Sequence, residues 1–440
     1  MKYKLLSKLF SWIFPTKEKR AHFRVWCEEI DNRSNIVKIK NNYNNILAGI
    51  AEYPQAKPIK VLFLVSDIAK WKAQSLFDLM KQSGDYEPVI ALTLVDFQLK
   101  LSKAEQRDIL NKGLQYFKTR SMDCVCAYDV EEHKASDLRE FNPILVFYDQ
   151  PWKISKNQMP CEVSKYALTF YIPYYVQTYG DNYMECKQEL HQSVYRYYIL
   201  NKEWEEFYAP EFEHAAGKIV GLGHTMLDEY YLKRDKIQDE SKYVIYAPHH
   251  SFGNWENFGT FDKNGKEILE YAKQHKELNW VFKPHPTLKY RAVKSGVMTQ
   301  TEIDEYYKEW ESFAKVCYDS DYIKYFLNSK ALITDSASFL IEYFCTGKPI
   351  IHLISRRSKV VPKPAFEKII NTFYKAYNND EMFDLFDKIL IKNDDEMKEN
   401  RLKVLSESGL AAAYAGENIL KDVSGIMNIN KREFEIDENT

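Results

Sequence analysis

Short apolar runs, each closed by a polar turn and followed by a stretch of helical spacing, recur along most of this 440-residue sequence. KVLFLVSDI (60–68) leads into WKAQSLFDLMKQSG, PVIALTLVD (88–96) leads into a helical stretch ending near residue 118, and PILVFYDQP (143–151) closes on a proline. TFYIPYYVQ (169–177), YRYYILNK (195–202) and IVGLGHTMLDEY (219–230) continue the series. Apolar runs of this kind predict strands buried on both faces, and their alternation with helices predicts a parallel sheet covered by helices. The charged stretch YLKRDKIQDESK (231–242) breaks the pattern, as a domain boundary does. A second series starts at YVIYAP (243–248) and runs through NWVFKPHP (279–286) and ALITDS (331–336) to KPIIHLIS (348–355), the last clear strand. Helices are expected between these strands at 266–275, 301–315, 321–330 and 338–347. The prediction is an α/β chain with two doubly wound domains, 58–232 and 240–425, facing a central cleft, and a polar tail over 426–440.

With 45% hydrophobic and 28% charged residues the chain has the composition of a folded globular protein. Sixty-one basic residues offset 63 acidic ones, so no global field points to nucleic acid as a partner. The 7 cysteines show no pairing pattern, and the spacing of Cys124 and Cys126 suits neither a zinc knuckle nor a redox pair, which favours the reducing cytoplasm.

Residues 1–25 are different in kind. Leu5, Leu6, Leu9, Phe10, Trp12, Ile13 and Phe14 alternate with Lys2, Lys4 and Lys8, and Lys17, Lys19, Arg20 and Arg24 follow. Spanning a bilayer takes about 20 mostly apolar residues, which this segment lacks. A basic amphipathic segment with a tryptophan suits the anionic inner face of the cell membrane. The competing expectation is a first helix packed on the protein's own surface. Residues 26–57 read as a polar helical connector.

In open α/β sheets, ligands bind beyond the carboxyl ends of the strands, where loops and helix N-termini converge. Three polar clusters of this sequence fall there: His249, His250 and Ser251; Lys283 and His285; and Asp335, Ser336 and Ser338. Imidazoles titrate near neutral pH and serve as general acids or bases, and Lys283 adds fixed positive charge beside His285. The serines of DSASFLIEY stand where Ser336 or Ser338 can cap a helix whose N-terminus attracts phosphate. Glu342, one turn on from Ser338, is placed to reach a ribose hydroxyl. No metal is expected, because adjacent histidines point apart on an extended chain and no H-x-H or H-x-x-x-H spacing occurs.

YAPHHS (246–251), FKPHP (282–286) and ITDSASFLIEYFCTGKPII (333–351), in this order, resemble the CDP-glycerol glycerophosphotransferase family of teichoic-acid and capsular polysaccharide synthesis. The segment around Tyr306, Tyr307 and Trp310 adds to the likeness, and DQPWKI (149–154) carries it weakly into the first half. The resemblance implies a GT-B fold with an acceptor-binding N-terminal domain on the membrane face and a donor-binding C-terminal domain. It also implies transfer of an alditol phosphate from a CDP-alditol to a hydroxyl of a lipid-linked or glycan acceptor, releasing CMP, with no further cofactor. Of the catalytic histidines matched by His250 and His285, one acts as base and the other steadies the phosphates. His249, Ser251, Lys283, Asp335, Ser336, Ser338 and Glu342 are then substrate-binding, with His249 supporting His250. The run Pro248-His249-His250-Ser251 lacks the arginine common after that proline, which leaves open whether the alditol is glycerol or another. The alternatives are a GT-B glycosyltransferase using a nucleotide sugar and a nucleotide-sugar 2-epimerase.

Overall fold

The computed structural model describes residues 7, 10–52, 56–180, 182–234, 241–254, 256–318, 322–410 and 414–428. Within the expected membrane segment, positions 1–6, 8 and 9 lie outside the described residues, as do 235–240 of the expected boundary and 429–440 of the tail. The chain forms two compact units. Unit 1 comprises Met1–Tyr175, Asn182–Met226 and Tyr414–Thr440, and unit 2 comprises Val176–Asp181 and Leu227–Ala413.

Unit 1 is built on strands β1 (Ile59–Val65), β2 (Tyr86–Leu92) and β3 (Cys124–Cys126), a small hairpin β4 and β5 (Tyr128–Asp129, Lys134–Ala135), then β6 (Leu145–Tyr148), β7 (Leu168–Tyr171), β8 (Arg196–Ile199) and β9 (Lys218–Gly221). Apart from the hairpin these form one sheet in the order β3-β2-β1-β6-β7-β8-β9, parallel throughout. In β1, Val61, Leu62, Phe63 and Leu64 are all buried, as expected of a strand covered on both faces. Helix α1 (Lys17–Glu52) precedes the sheet, and α2 (Gln74–Ser83) and α3 (Lys103–Lys118) cross over between its first strands. Gly84, at a φ of 70°, ends α2 as a left-handed cap, and a Ser102–Glu105 capping box starts α3.

Unit 2 repeats the plan with β10 (Tyr243–Ala247), β11 (Trp280–Phe282), β12 (Lys315–Val316), β13 (Ser329–Thr334), β14 (Ile350–Leu353) and β15 (Tyr374–Ala376), in the order β12-β11-β10-β13-β14-β15 and again parallel. Helices α4 (Phe261–Gln274), α5 (Gln300–Phe313) and α6 (Ala337–Phe344) cover it. The aromatic positions singled out in α5 are core: Tyr306, Tyr307 and Trp310 pack around Phe282 of β11.

The structure corrects several boundaries. Residues 26–52 are helical as expected but are not an element of their own, because α1 runs unbroken across residue 25 and buries Cys27, Ile36, Ile39, Tyr43 and Ile50 in unit 1. The second domain does not extend to 425. Helix α7 (Ala415–Ile426) belongs to unit 1, where it packs on α2, and Tyr86 and Tyr198 bond its Ser424 and Asp422 at 2.9 and 2.7 Å. Gly223, at a φ of 103°, lets it seat, since a Cβ there would lie 2.8 Å from that of Ala415. The three-residue strands β3 and β15 are not among those read from the sequence.

Candidate active site

Strand β10 lies between β11 and β13, so the chain leaves three neighbouring strands at one edge of unit 2. The winding of the sheet reverses between β10 and β13, which makes the crevice beyond their carboxyl ends the ligand position of such a sheet. His249 and His250 follow β10, Lys283 and His285 follow β11, and Asp335 follows β13.

The two adjacent histidines do not point apart. Strand β10 stops at Ala247, and after Pro248 the chain leaves the extended conformation, so the alternation of a strand no longer separates their side chains. Their ring centroids are 4.3 Å apart, that of His285 is 3.9 Å from His250 and 4.8 Å from His249, and Phe258 stacks on His249 at 4.8 Å. Nδ1 of His249 accepts from the N–H of Ser251 at 3.2 Å, and Nδ1 of His285 accepts from the N–H of Thr287 at 3.2 Å. Both rings are thereby oriented, and with Nδ1 accepting, a neutral ring carries its hydrogen on Nε2 and can donate from there. Nδ1 of His250 is buried and no residue hydrogen-bonds it.

All three imidazoles are held neutral. Burial pushes His249 well below the usual histidine range, with the neighbouring histidines adding to the effect. Burial, then the charge of Arg291, lowers His250 to about 4, and burial, then His250 and Lys283, lowers His285 to about 3. A neutral ring with an open nitrogen can accept a proton at pH 7, and His250, whose Nδ1 has no partner, is such a ring. Three imidazole nitrogens within 4.8 Å of one another also form a donor set that suits a zinc-class cation with an open position, contrary to the reasoning from sequence spacing.

Asp335 is an organiser rather than an open ligand group. Its Oδ1 accepts from the N–H of His249 at 2.6 Å, and its Oδ2 accepts from the N–H and hydroxyl of Thr260 at 2.5 and 2.9 Å. Burial raises its carboxyl to about 6 even though these bonds pull it down. Ser251 is likewise engaged, its hydroxyl donating to Glu256 at 2.9 Å. Lys283, only 6% exposed, carries its ammonium 5.5 Å from the ring centre of Tyr322.

Two expectations at α6 change. Neither serine caps the helix: the Ser336 hydroxyl lies 3.3 Å from that of Ser338, and the Ser336 N–H donates to Thr334 at 2.9 Å. The first-turn N–H groups are therefore uncapped by any side chain. Glu342 does not project from the helix surface. It is 3% exposed and accepts from the hydroxyls of Tyr230 at 2.9 Å and Tyr322 at 2.6 Å.

Sequence reasoning missed Thr260, Arg291, Tyr230 and Tyr322. The position of Arg291, in the helix Leu288–Lys294 that follows the KPHP run, was the available signal for that residue.

No protein-family model matches the sequence, and no curated protein matches it. Solved structures do. The wall teichoic acid polymerase TagF aligns with a TM-score of 0.54 at 12% identity, over 93% of this chain and 98% of its own. A UDP-N-acetylglucosamine 2-epimerase gives 0.53 at 11% identity, over 84% and 96%. S. aureus MnaA in complex with UDP gives 0.50 at 13% identity, over 84% and 97%. The chain has a GT-B fold. At these identities the likeness is one of architecture, and in this GT-B chain the histidine cluster occupies the winding reversal of the second sheet.

Proposed function

We propose that this chain is a transferase that takes an alditol phosphate, glycerol phosphate first among the candidates, from a CDP-activated donor to an acceptor hydroxyl and releases CMP. The observation that carries this reading is the stack of His250 on His285 at the sheet's winding reversal, two neutral imidazoles beside the cations Lys283 and Arg291. Phosphoryl transfer asks mainly for positioning and positive charge, and a placed base adds about 10²- to 10⁴-fold. His250 takes the hydroxyl proton as the oxygen attacks the β-phosphorus, the Nε2–H of His285 steadies the phosphates, and the bond from that phosphorus to the CMP oxygen breaks in line. Lys283, Arg291 and the uncapped start of α6 hold the phosphates. The teichoic acid polymerase among the structural neighbours supports a polymer of this kind, and the acceptor is then a glycan or a lipid-linked chain in surface-polymer synthesis. His249, turned by Ser251, supports His250, and Asp335 fixes the loop that carries both.

Peripheral attachment at the inner membrane face fits the same reading. No helix among the described residues is long and apolar enough to cross a membrane, while Phe10, Trp12, Ile13 and Trp26 are exposed beside Lys17, Lys19, Arg20 and Arg24.

The test is CMP release from CDP-glycerol in the presence of glycan or lipid-linked acceptors. A drop of about 10²-fold or more is expected in His250→Ala and in His285→Ala. Turnover of a UDP-sugar instead of CDP-glycerol would move the assignment to a glycosyltransferase or 2-epimerase. A second reading, a metal-dependent hydrolase, draws on the convergence of three imidazole nitrogens, and stoichiometric zinc in the purified protein would favour it.

A further inference from the structure

Unit 2 takes in one short piece of chain from outside its main span, Val176–Asp181, while Tyr175 before it and Asn182 after it belong to unit 1. The backbone of this strap is tied to the loop beyond β14. The N–H of Lys363 donates to the carbonyl of Thr178 at 2.9 Å, and the N–H of Gly180 donates to that of Val361 at 3.1 Å, on either side of an antiparallel bridge between Tyr179 and Pro362. The Thr178 hydroxyl donates to the carbonyl of Ala337, the first residue of α6, at 3.1 Å.

Tyr179 extends the row of rings at the candidate active site. From His285 the centroids step 3.9 Å to His250, 4.3 Å to His249, 4.8 Å to Phe258 and 6.5 Å to Tyr179, and the last two pairs lie within 21° and 14° of parallel. His352 at 6.4 Å and Phe366 at 6.2 Å meet Tyr179 edge-on. The Tyr179 hydroxyl makes no hydrogen bond among the described residues, so its ring is what the site uses.

His250 has the weakest polar hold of the three imidazoles. Its ring makes no hydrogen bond among the described residues, whereas His249 and His285 are each turned by a backbone N–H. The plane of His250 is therefore set by the rings it touches, His285 and His249. A single bond to Nδ1 fixes where that nitrogen of His249 points but not the tilt of its ring, and Phe258 covers the ring face. Phe258 is itself half-buried. Ser355, Arg357 and Lys359 pin the backbone of its loop, but Tyr179 is the aromatic neighbour that backs its ring.

We propose that Tyr179 is a positioning residue of the transfer: acting through Phe258 and His249 it fixes the plane of the His250 imidazole, while Thr178 beside it braces the start of α6. Aromatic pairs attract at centroid separations of about 4.5–7 Å, which each step from His249 outward satisfies. A misplacement of about 1 Å near the reacting groups can cost about 10²-fold in rate. One strap thus bears on both the base and the helix end that holds the phosphates, and its flanks belong to the other unit.

The role in transfer rests on the reading of His250 as base, while its hold on the ring can be measured without that reading. Full-length protein labelled in its histidine ring nitrogens is compared as wild type, Tyr179→Phe, Tyr179→Leu, Phe258→Leu and the double leucine variant. The His250 signals are identified by their loss in His250→Gln. Tyr179→Leu is expected to lower kcat for CMP release from CDP-glycerol about tenfold or more, to leave KM within about twofold, and to move the His250 ring signals, and Tyr179→Phe is expected to restore both. The double variant should be no worse than Phe258→Leu, because residues that act through one another do not add. If Tyr179→Leu does not fold, Tyr179→Met, which fills the space without a ring, takes its place. Unchanged kcat with unmoved His250 signals overturns the proposal, and so do additive losses in the double variant or a Tyr179→Phe variant as impaired as the leucine one. If the wild type releases no CMP, the donor reading falls and the spectra decide alone: His250 signals that move in Tyr179→Leu and return in Tyr179→Phe support the hold on the ring, and unmoved signals overturn it.

Discussion

The imidazoles of His250 and His285 stack with ring centroids 3.9 Å apart, although 34 residues of chain separate them and they follow different strands. Burial lowers both, Arg291 adds to the effect on His250, and His250 adds to the effect on His285. A pair of bases kept neutral well under pH 6 gives unit 2 a working range that ordinary histidines would not.

The acid limb of activity follows from this. A base must be unprotonated, and a depressed value keeps it so as pH falls. The acid limb of kcat/KM, which reports the free protein, should therefore lie well below 6.5, toward about 4 for His250. An acid limb at 6.5 or above in a pH–rate profile would contradict the buried, neutral pair.

Asp335 should matter for stability as much as for turnover. Asp335→Ala leaves the N–H groups of His249 and Thr260 without their acceptor, at about 1–3 kcal/mol each if they stay dry. The expected Tm decrease is roughly 2–4 °C for each kcal/mol lost, read by calorimetry, together with a loss of CMP release as the His249–His250 loop drifts.

Glu342 separates two roles cleanly. As the shared acceptor of Tyr230 and Tyr322 it is structural, so Glu342→Ala should lower Tm through two orphaned tyrosine hydroxyls, about 1–3 kcal/mol for each. As a ribose contact it would instead lower nucleotide affinity and leave Tm alone. Melting curves and a CMP titration on one variant distinguish the two.

Acid should destabilise both units from the same cause. His224 in unit 1 is lowered to about 4 and His352 in unit 2 to about 3, each chiefly by burial. The native state then binds fewer protons than the unfolded chain, so stability is lost as pH falls below about 6.5 and continues to fall toward the native values. For these nearly inaccessible rings the full effect is roughly 3 kcal/mol at His224 and roughly 5 kcal/mol at His352. Asp335, raised to about 6, works the other way in unit 2, gaining stability on protonation. Melting at pH 7 and pH 5, with His224→Gln flattening the decline, is the measurement.

Vesicle binding tests the first turn of the described chain. Trp12 and Ile13 are 71% and 58% exposed, so replacing both with serine should leave Tm unchanged yet weaken co-sedimentation with anionic vesicles roughly tenfold or more. Equal binding of the variant, or binding to neutral vesicles alone, would assign the segment to another role.

Much of this arrangement can be read from the order of residues. The apolar runs of β1, β2, β10 and β13 have the continuous burial that marks strands covered on both faces, and the polar residues just after them fall where parallel sheets gather ligands. What sequence could not supply was direction. His249 and His250 looked opposed because strand geometry was extended past Ala247, and Glu342 looked exposed because nothing nearby in sequence announces Tyr230, 112 residues away.

Helix α7 has a consequence for how the protein is made. Unit 1 begins with the first residues of the chain and ends with α7, so unit 2 is threaded into it as an insertion. During synthesis the sheet of unit 1 leaves the ribosome with the flank of α2 uncovered, and nearly two hundred residues must follow before Ala415–Ile426 can close it. A fragment cut after residue 226 inherits that open flank, whereas joining α7 to it through a short linker should restore a closed, soluble half.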